Sequence, residues 1–537
     1  MSDANALYFG DNLEILRKYI LDESIDLVYL DPPFNSDRAY NIFFRDKTEK
    51  KSSAQIRAFE DTWHWGEAPQ HAFDEIMRGD FPVELKETLR AFLDFMGTSD
   101  LMAYLTMMAI RVVELHRVLR PTGSLYLHCD PTASHYLKVL LDQIFGIKCF
   151  RNEIIWKRAQ PKSHASVRFS NSHDVLLSYG KSGRVFFAPV HIPHDPDYVS
   201  KFYKYTEAGT GRRYRLDNLA NPNKNRPNLT YEFPPGSGTV RVWRWTKDRM
   251  AKAWTDGRVV LPPKGKVVAY KRFLDEMPGT PITDLWTDIE HLHGSHDESL
   301  NYPTQKPLAL LERIVLTSSN EGDTVLDPFC GCGTAVAAAE KLGRRWVGID
   351  ITHLAISLIK KRMKDHFPDA KFEVHGEPKS ADSAQALFEQ SAFQFESWAV
   401  SLLGGQPYKS TGGGDTGIDG FLYFKDYKKK FHRIIIEVKG GKFQPRDVRS
   451  LAHVLDREKA PLGVLIALHE PTRGMLKEAA ALGKWRMPGS NREYPVLQIC
   501  TIQDFFDGRK PDLPDTSETL KKAKRVLRDK EKQPKLL

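Results

Sequence analysis

Strand-length apolar runs alternate with helically spaced apolar positions at the two ends of the chain, and that alternation predicts α/β architecture. Residues 7–10 and 25–30 are short apolar runs, separated by helical spacing over 13–20. The second run stops at Asp31-Pro32-Pro33-Phe34, where two prolines forbid a further strand and impose a loop at its carboxyl end. A long, mostly helical stretch is predicted over 54–119, then a strand at 124–128, a helix at 133–145, and strands at 153–156 and 174–178. Between about 190 and 295 no helical period is sustained. Arg, Lys, Pro and Gly are interleaved there with Tyr203, Tyr205, Tyr214, Trp243 and Trp245, which reads as a positively charged inserted module. If residues 243–245 are extended, the two tryptophans share one face and Arg244 takes the other.

Alternation resumes with a helix at 307–318, a strand at 324–326, a Gly-rich loop, a helix at 335–342 and a strand at 346–349. A polar linker with Pro378 follows. A second α/β unit begins with a helix at 388–403 and a Gly-rich segment, then strands at 421–424 and 434–439 joined by a basic turn at 428–430. Helix, strand and helix are predicted at 444–455, 463–468 and 475–482. The expected organisation is 1–189 with 296–376, an insert at 190–295, a linker at 377–385, a second domain at 386–510 and a basic tail at 511–537.

Composition narrows the class of partner. The 537 residues suit two to four domains, and 41% hydrophobic with 27% charged residues excludes wholesale disorder. The excess of 78 Lys+Arg over 69 Asp+Glu, +9 overall, favours a polyanion. No apolar run is long enough for a membrane helix, and the N-terminus lacks the pattern of a secretory signal. Five cysteines make no disulfide framework, so a cytoplasmic location is expected.

Two segments carry candidate chemistry in the first domain. Asp327-Pro328-Phe329-Cys330-Gly331-Cys332-Gly333-Thr334 lies between a predicted strand and helix, where glycines admit a ligand close to the backbone and a helix start offers unpaired N–H groups. An ordinary tight turn would use the same glycines. The next strand ends at Asp350, placed to accept ribose hydroxyls, but the absence of a full G-x-G-x-x-G counts against NAD. Asp31-Pro32-Pro33-Phe34 is the rarer signal. A carboxylate, a rigid carbonyl-presenting turn and an aromatic face are the groups needed to hold a planar, amino-bearing base outside its stack.

In this order, with Gly10-Asp11 after the first strand and Thr304-Gln305-Lys306-Pro307 before the Gly-rich loop, the chain over about 7–363 resembles the permuted beta group of DNA adenine-N6/cytosine-N4 amino-methyltransferases. The resemblance implies a Rossmann-like, mostly parallel sheet that binds S-adenosylmethionine. Phe329, Gly331, Gly333 and Thr334 would line the methionine moiety, Asp350 the ribose and Asp11 the adenine, with Lys306 and Asp327 also at the cofactor. Phe34 would stack on a flipped base while Asp31 and the Pro32 carbonyl, with Pro33 stiffening the turn, accept its amine for direct in-line transfer. Asp at position 31 resembles the adenine enzymes more than the cytosine-N4 ones. The insert would recognise duplex DNA, with Arg212, Arg213, Arg215, Arg241 and Arg244 as contacts to phosphates or guanine edges, although core packing with a solvated basic face explains any one of them equally well.

In the second domain Glu437 and Lys439 share a strand face, and Asp419 ends a Gly-rich lead-in. Asp419…Glu437-Val438-Lys439 resembles the PD-(D/E)-x-K nuclease superfamily, in particular Mrr-like restriction endonucleases, with Ile418 in place of the proline. The resemblance implies a restriction-endonuclease-like fold, Mg²⁺ held by Asp419 and Glu437, and Lys439 beside the attacking water. Restriction–modification in one polypeptide is the expected function. The alternatives are a C-terminal domain that only positions the methyltransferase on DNA, and an N-terminal enzyme acting on cytosine N4, RNA or protein. No obligate protein partner is expected, and the oligomeric state, a homodimer included, stays open.

Overall fold

The computed structural model describes the chain except for residues 1–3, 34–39, 44–54, 60–63, 159–168, 263–264, 266, 293–295, 297, 301, 303, 409–416 and 517–537, and it describes 40–43 and 55–59 by backbone only. Phe34 therefore lies outside the described residues.

The first-domain sheet is built in chain order from β1 (Asn5–Phe9), β2 (Ile25–Leu30), β3 (Leu119–Cys129), β4 (Phe150–Lys157), β5 (His173–Gly180), β6 (Leu285–Trp286), β7 (Thr324–Asp327), β8 (Arg345–Asp350) and β9 (Phe372–His375). Its nine strands run in the order β6-β4-β5-β3-β2-β7-β8-β1-β9. From β3 to β9 every neighbouring pair is parallel, and β5 runs antiparallel to both β3 and β4. The two innermost strands explain their own sequence. β2 and β7 are buried along their whole length, so their apolar residues, Leu27 to Leu30 and Val325 with Leu326, follow one another without alternation. Helices α1 (Asn12–Tyr19), α2 (Asp100–Val118), α3 (Ser134–Phe145), α4 (Leu308–Ser318), α5 (Thr334–Lys341) and α6 (His353–His366) accompany the sheet. This is the expected α/β, Rossmann-like class.

The stretch 54–119 is mostly helical, as expected: helices occupy Glu67–Arg78, Val83–Met96 and α2, after a strand at Gln55–Phe59 that pairs antiparallel with Tyr40–Phe43. Three expectations need correction. The insert ends before 295. Residues 189–283 form a separate compact unit, whereas Leu285–Trp286 extends the large sheet parallel to β4. The expected linker already contains the start of α7 (Ala381–Gln390), and α8 (Ala392–Leu402) follows it. Ser391 divides the one helix expected at 388–403, because its side chain accepts from Gln394 N and so starts a new helix.

The insert has its own small core of Leu219, Phe233, Trp243, Met250, Val259 and Val268. An antiparallel four-stranded sheet, a hairpin of Thr230–Glu232 with Val240–Val242 and a helix at Lys247–Thr255 surround it. The C-terminal domain belongs to the same compact unit as the large sheet. Its five strands, β10 (Gln406–Pro407), β11 (Gly420–Lys425), β12 (Phe431–Lys439), β13 (Leu462–Ala467) and β14 (Leu497–Thr501), are ordered as numbered. β10 to β12 pair antiparallel and β12 to β14 parallel.

Candidate active site

Four strand ends converge on one cavity of about 250 Å³. Gly10 and Asp11 follow β1, Asp31 to Pro33 follow β2, Asp327 to Phe329 close β7, and Asp350 to Thr352 close β8; all of them line it. A ligand site outside the carboxyl ends of parallel strands is where this architecture leaves a crevice.

The loop after β7 is tied down by the next strand. Asp350 Oδ2 accepts from Gly331 N at 2.9 Å, while its Oδ1 accepts from the backbone N and hydroxyl of Thr352, each at 2.8 Å. Burial pushes the carboxyls of Asp327 and Asp350 upward, Asp327 the further. Gly331 has φ +49°, and a Cβ there would meet the Tyr302 ring at 3.2 Å. Gly333 does different work. It is not among the cavity-lining residues; with φ +75° it lies against Ile359, where a Cβ would come within 2.7 Å. Thr334 opens α5 at the cavity and accepts from Arg362 Nη1 at 3.2 Å.

After the adjacent strand β1, Asp11 caps α1, accepting from Leu13 N at 2.8 Å, and is ion-paired with Arg111 Nη2 at 2.8 Å. Arg111 Nε also donates to Asn12 Oδ1 at 2.7 Å, and Asn12 Nδ2 donates to the Pro328 carbonyl at 2.8 Å. The loops after β1 and β7 are thus bridged by Asn12 and braced by Arg111, two residues that no motif in the sequence marks. A signal was present. Arg111 interrupts the run Met102–Val112, which is buried throughout, and a charge in such a run calls for a partner.

Asp31 has two different oxygens. Oδ2 is ion-paired with Lys306 Nζ, whereas Oδ1 is buried without a hydrogen-bond partner among the described residues. Lys306, expected at the cofactor, lines the cavity and holds the Asp31 carboxylate. Pro32 and Pro33 line the same cavity.

Residues 25–361, which carry this cavity apart from its Gly10–Asn12 wall, match the family model described as DNA methylase of the N6_N4_Mtase type. The chain belongs to this DNA methylase family. Type II methyltransferase M.EcaI of Enterobacter cloacae is 25% identical over 365 residues, 67% of this chain and 69% of that protein. DNA adenine methyltransferase YhdJ of Escherichia coli K12 is 24% identical over 363 residues, 67% of this chain and 83% of that one. The crystal structure of the DNA modification methylase TTHA0409 of Thermus thermophilus with S-adenosyl-L-methionine is 16% identical at a TM-score of 0.34, covering 70% of this chain and 99% of that one. Residues 391–507 match a second family, described as NACHT-associated inactive Restriction Endonuclease 1.

In the methylase's C-terminal domain the three expected residues meet at one end of the hairpin. Gly420 pairs with Ile436, which places Asp419 opposite Glu437. Asp419 Oδ2 accepts from Val438 N at 2.7 Å, and Lys439 Nζ lies 2.8 Å from Glu437 Oε1. Glu437 is only 3% exposed. Among the described residues no three His, Cys, Asp or Glu side chains gather as a metal site. The insert's arginines divide by partner. Arg212 is ion-paired with Asp275 and Glu276, Arg215 with Asp217, and Arg213 donates to the Tyr203 carbonyl at 3.0 Å. Arg244 donates to the Ala220 carbonyl at 3.3 Å, and Arg241 stands exposed on the hairpin. Trp243 and Trp245 both pack on the insert's core. No helix of the described residues is long and apolar enough to cross a membrane.

Proposed function

We propose that the chain is an S-adenosylmethionine-dependent DNA methyltransferase that modifies the N6 amine of adenine, with the insert as its recognition module for duplex DNA. The observation that carries this reading is the asymmetry of Asp31 in the cavity wall, with one oxygen fixed by Lys306 and the other buried without a hydrogen-bond partner among the described residues. A fixed carboxylate with one unpaired acceptor suits an exocyclic N–H and orients the nitrogen for attack. The cavity residues also fit the cofactor: Gly331 lets the ligand close to the backbone, and Asp11 and Asp350 add carboxylates to the cavity wall. When bound, the cofactor supplies an electrophilic sulfonium methyl group. The Pro32 carbonyl is the second amine acceptor and Phe34 the stacking face in this reading. Exposed Arg241 and Arg244 are the insert residues best placed to meet DNA, since Arg212 is engaged with acidic side chains. Asp31→Asn should bind the cofactor as the wild type does and lose at least about 10²-fold in methyl transfer, the scale of removing one preorganised transition-state contact. Unchanged transfer of tritiated methyl groups to adenine would overturn the assignment.

A second reading concerns the C-terminal domain, and Asp419, Glu437 and Lys439 at one strand end favour it. Although its relatives are described as inactive, this chain keeps two carboxylates and a lysine, a donor set suited to a hard divalent cation such as Mg²⁺. Asp419 and Glu437 would hold the ion, and Lys439 would orient water. Incubation of unmethylated DNA with Mg²⁺ decides between cleavage and mere positioning on DNA. Cleavage by the wild type that is lost in Lys439→Ala supports the nuclease; intact DNA in both assigns the domain to positioning.

A further inference from the structure

A buried hydrogen-bonded chain behind the catalytic loop has no role in the reading above. Tyr29 lies on β2 two residues before Asp31 and, like it, lines the cavity. Its hydroxyl is 3.0 Å from His128 Nδ1 on β3, and His128 Nε2 is 3.2 Å from Asp174 Oδ2 on β5. Asp174 Oδ1 is in turn ion-paired with Arg158 Nε at 2.9 Å. The chain therefore crosses three adjacent strands. Tyr29, His128 and Asp174 are 3%, 0% and 1% exposed, and the Trp156 ring meets His128 edge-on at 5.8 Å, which fixes the imidazole plane. An ion pair this deep is costly to desolvate, and apolar side chains would stabilise the sheet as well.

Its polarity follows from its far end. Burial by itself would raise the Asp174 pKa, but His128, Lys306 and Arg158 bring it below the ordinary value. Asp174 is thus an acceptor only, and His128 Nε2 carries a hydrogen. With the hydrogen on Nε2, Nδ1 is the ring's acceptor, the Tyr29 O–H donates to it, and a lone pair of the Tyr29 oxygen is left for the cavity.

We propose that Tyr29 is a catalytic residue, taking the proton released by the methylated amine while passing its own hydroxyl proton to His128, with Asp174 and Arg158 as positioning residues. The proposal rests on the amine methylation proposed above. In that step the amine lone pair forms the N–C bond as the C–S bonding pair returns to the sulfur of the sulfonium donor, so the positive charge moves to nitrogen. One N–H then breaks in favour of Tyr29 Oη, and the former Tyr29 O–H proton forms the Nδ1–H bond. The product amine is neutral, the tyrosine is regenerated, and the charge rests on an imidazolium facing Asp174. Asp31 Oδ1 keeps the amine's other N–H throughout. The proton leaves by the reverse path when water replaces the product.

The test uses the full chain with S-adenosylmethionine and its target DNA. Tyr29→Phe should bind both within about two-fold of the wild type, lose about 10²-fold in the single-turnover methylation rate, and show a smaller solvent deuterium isotope effect. His128→Asn should match its rate loss. In the free protein, ¹⁵N-histidine NMR, with His128 identified by its loss in that variant, should show the Nε2–H tautomer and an Nδ1 resonance that moves in Tyr29→Phe. A wild-type rate in Tyr29→Phe, an affinity loss that accounts for the rate loss, or an Nδ1–H tautomer would each overturn the relay while methylation stands. A wild type that transfers no methyl group to DNA removes the proposed function and the relay with it.

Discussion

His353 opens α6 just past the cofactor-side loop, fully buried, with its ring stacked on Phe9 at a centroid distance of 3.6 Å. Burial, reinforced by Lys360, lowers its pKa from 6.5 to about 3. The sign of the consequence is fixed. Between those values the unfolded chain binds a proton that the folded chain refuses, so the stabilisation is complete above pH 6.5 and shrinks as pH falls toward 3. The loss should reach about 2 kcal/mol by pH 5, at ~1.4 kcal/mol per pH unit. His353→Phe keeps the stack and removes the titration. Its melting temperature should fall less than the wild type's between pH 7 and pH 5, and parallel pH curves would refute the account. Residue-scale legibility was uneven for a related reason. Asp11, Asp31, Asp327 and Asp350 could be read because each follows or ends an apolar strand in a local motif. Arg111, His128 and Asp174 could not, because their partners lie 99 residues from Arg111 to Asn12 and 46 from His128 to Asp174, and such pairings arise only once the strands are ordered.

Among the elements, the Gly-rich loop shows how one motif carries two separate demands. Gly331 faces the cavity, whereas Gly333 caps α5 in the left-handed region and lets Ile359 of α6 approach. A Cβ at Gly333 must displace Ile359 and hold a positive φ, so Gly333→Ala should destabilise the fold by about 1–3 kcal/mol. Gly331→Ala also holds a positive φ but meets only a ring edge at 3.2 Å, so it should cost less stability than Gly333→Ala and, at the cavity, weaken cofactor binding as well. Denaturant midpoints and cofactor titrations on the two variants separate these effects; equal stability losses would contradict the division of labour. The loop itself was legible, because strand, glycines and helix are contiguous in sequence. The strand at Gln55–Phe59 and the break at Ser391 were not. The first is specified by its pairing with Tyr40–Phe43, and the second by a serine whose cap interrupts continuous helical spacing.

At the scale of the whole molecule, the boundary between the methylase sheet and the C-terminal domain is a packed one. Phe9, the last residue of β1 and the neighbour of Gly10 and Asp11, packs against the C-terminal core formed by Ala384, Leu387, Phe395, Trp398 and Val400. α6 of the methylase half lies against α8 of the C-terminal domain. The cavity end of β1 is therefore held by His353 within the methylase half and by a core that belongs to the second domain. A chain ending at residue 378 would keep the first support and lose the second. It should melt lower than the full chain and bind S-adenosylmethionine more weakly, because the Asp11 loop loses the packing beneath it. Phe9→Ala isolates the contribution: in the full chain it should cost about 1.5–3 kcal/mol, the scale of burying one large apolar side chain, and in the shortened chain distinctly less. The difference between those two costs is the coupling energy between the halves, and it is measured by chemical denaturation of the four proteins as a double-mutant cycle. If Phe9→Ala costs the same in both backgrounds, the C-terminal domain contributes nothing to the methylase site through this contact.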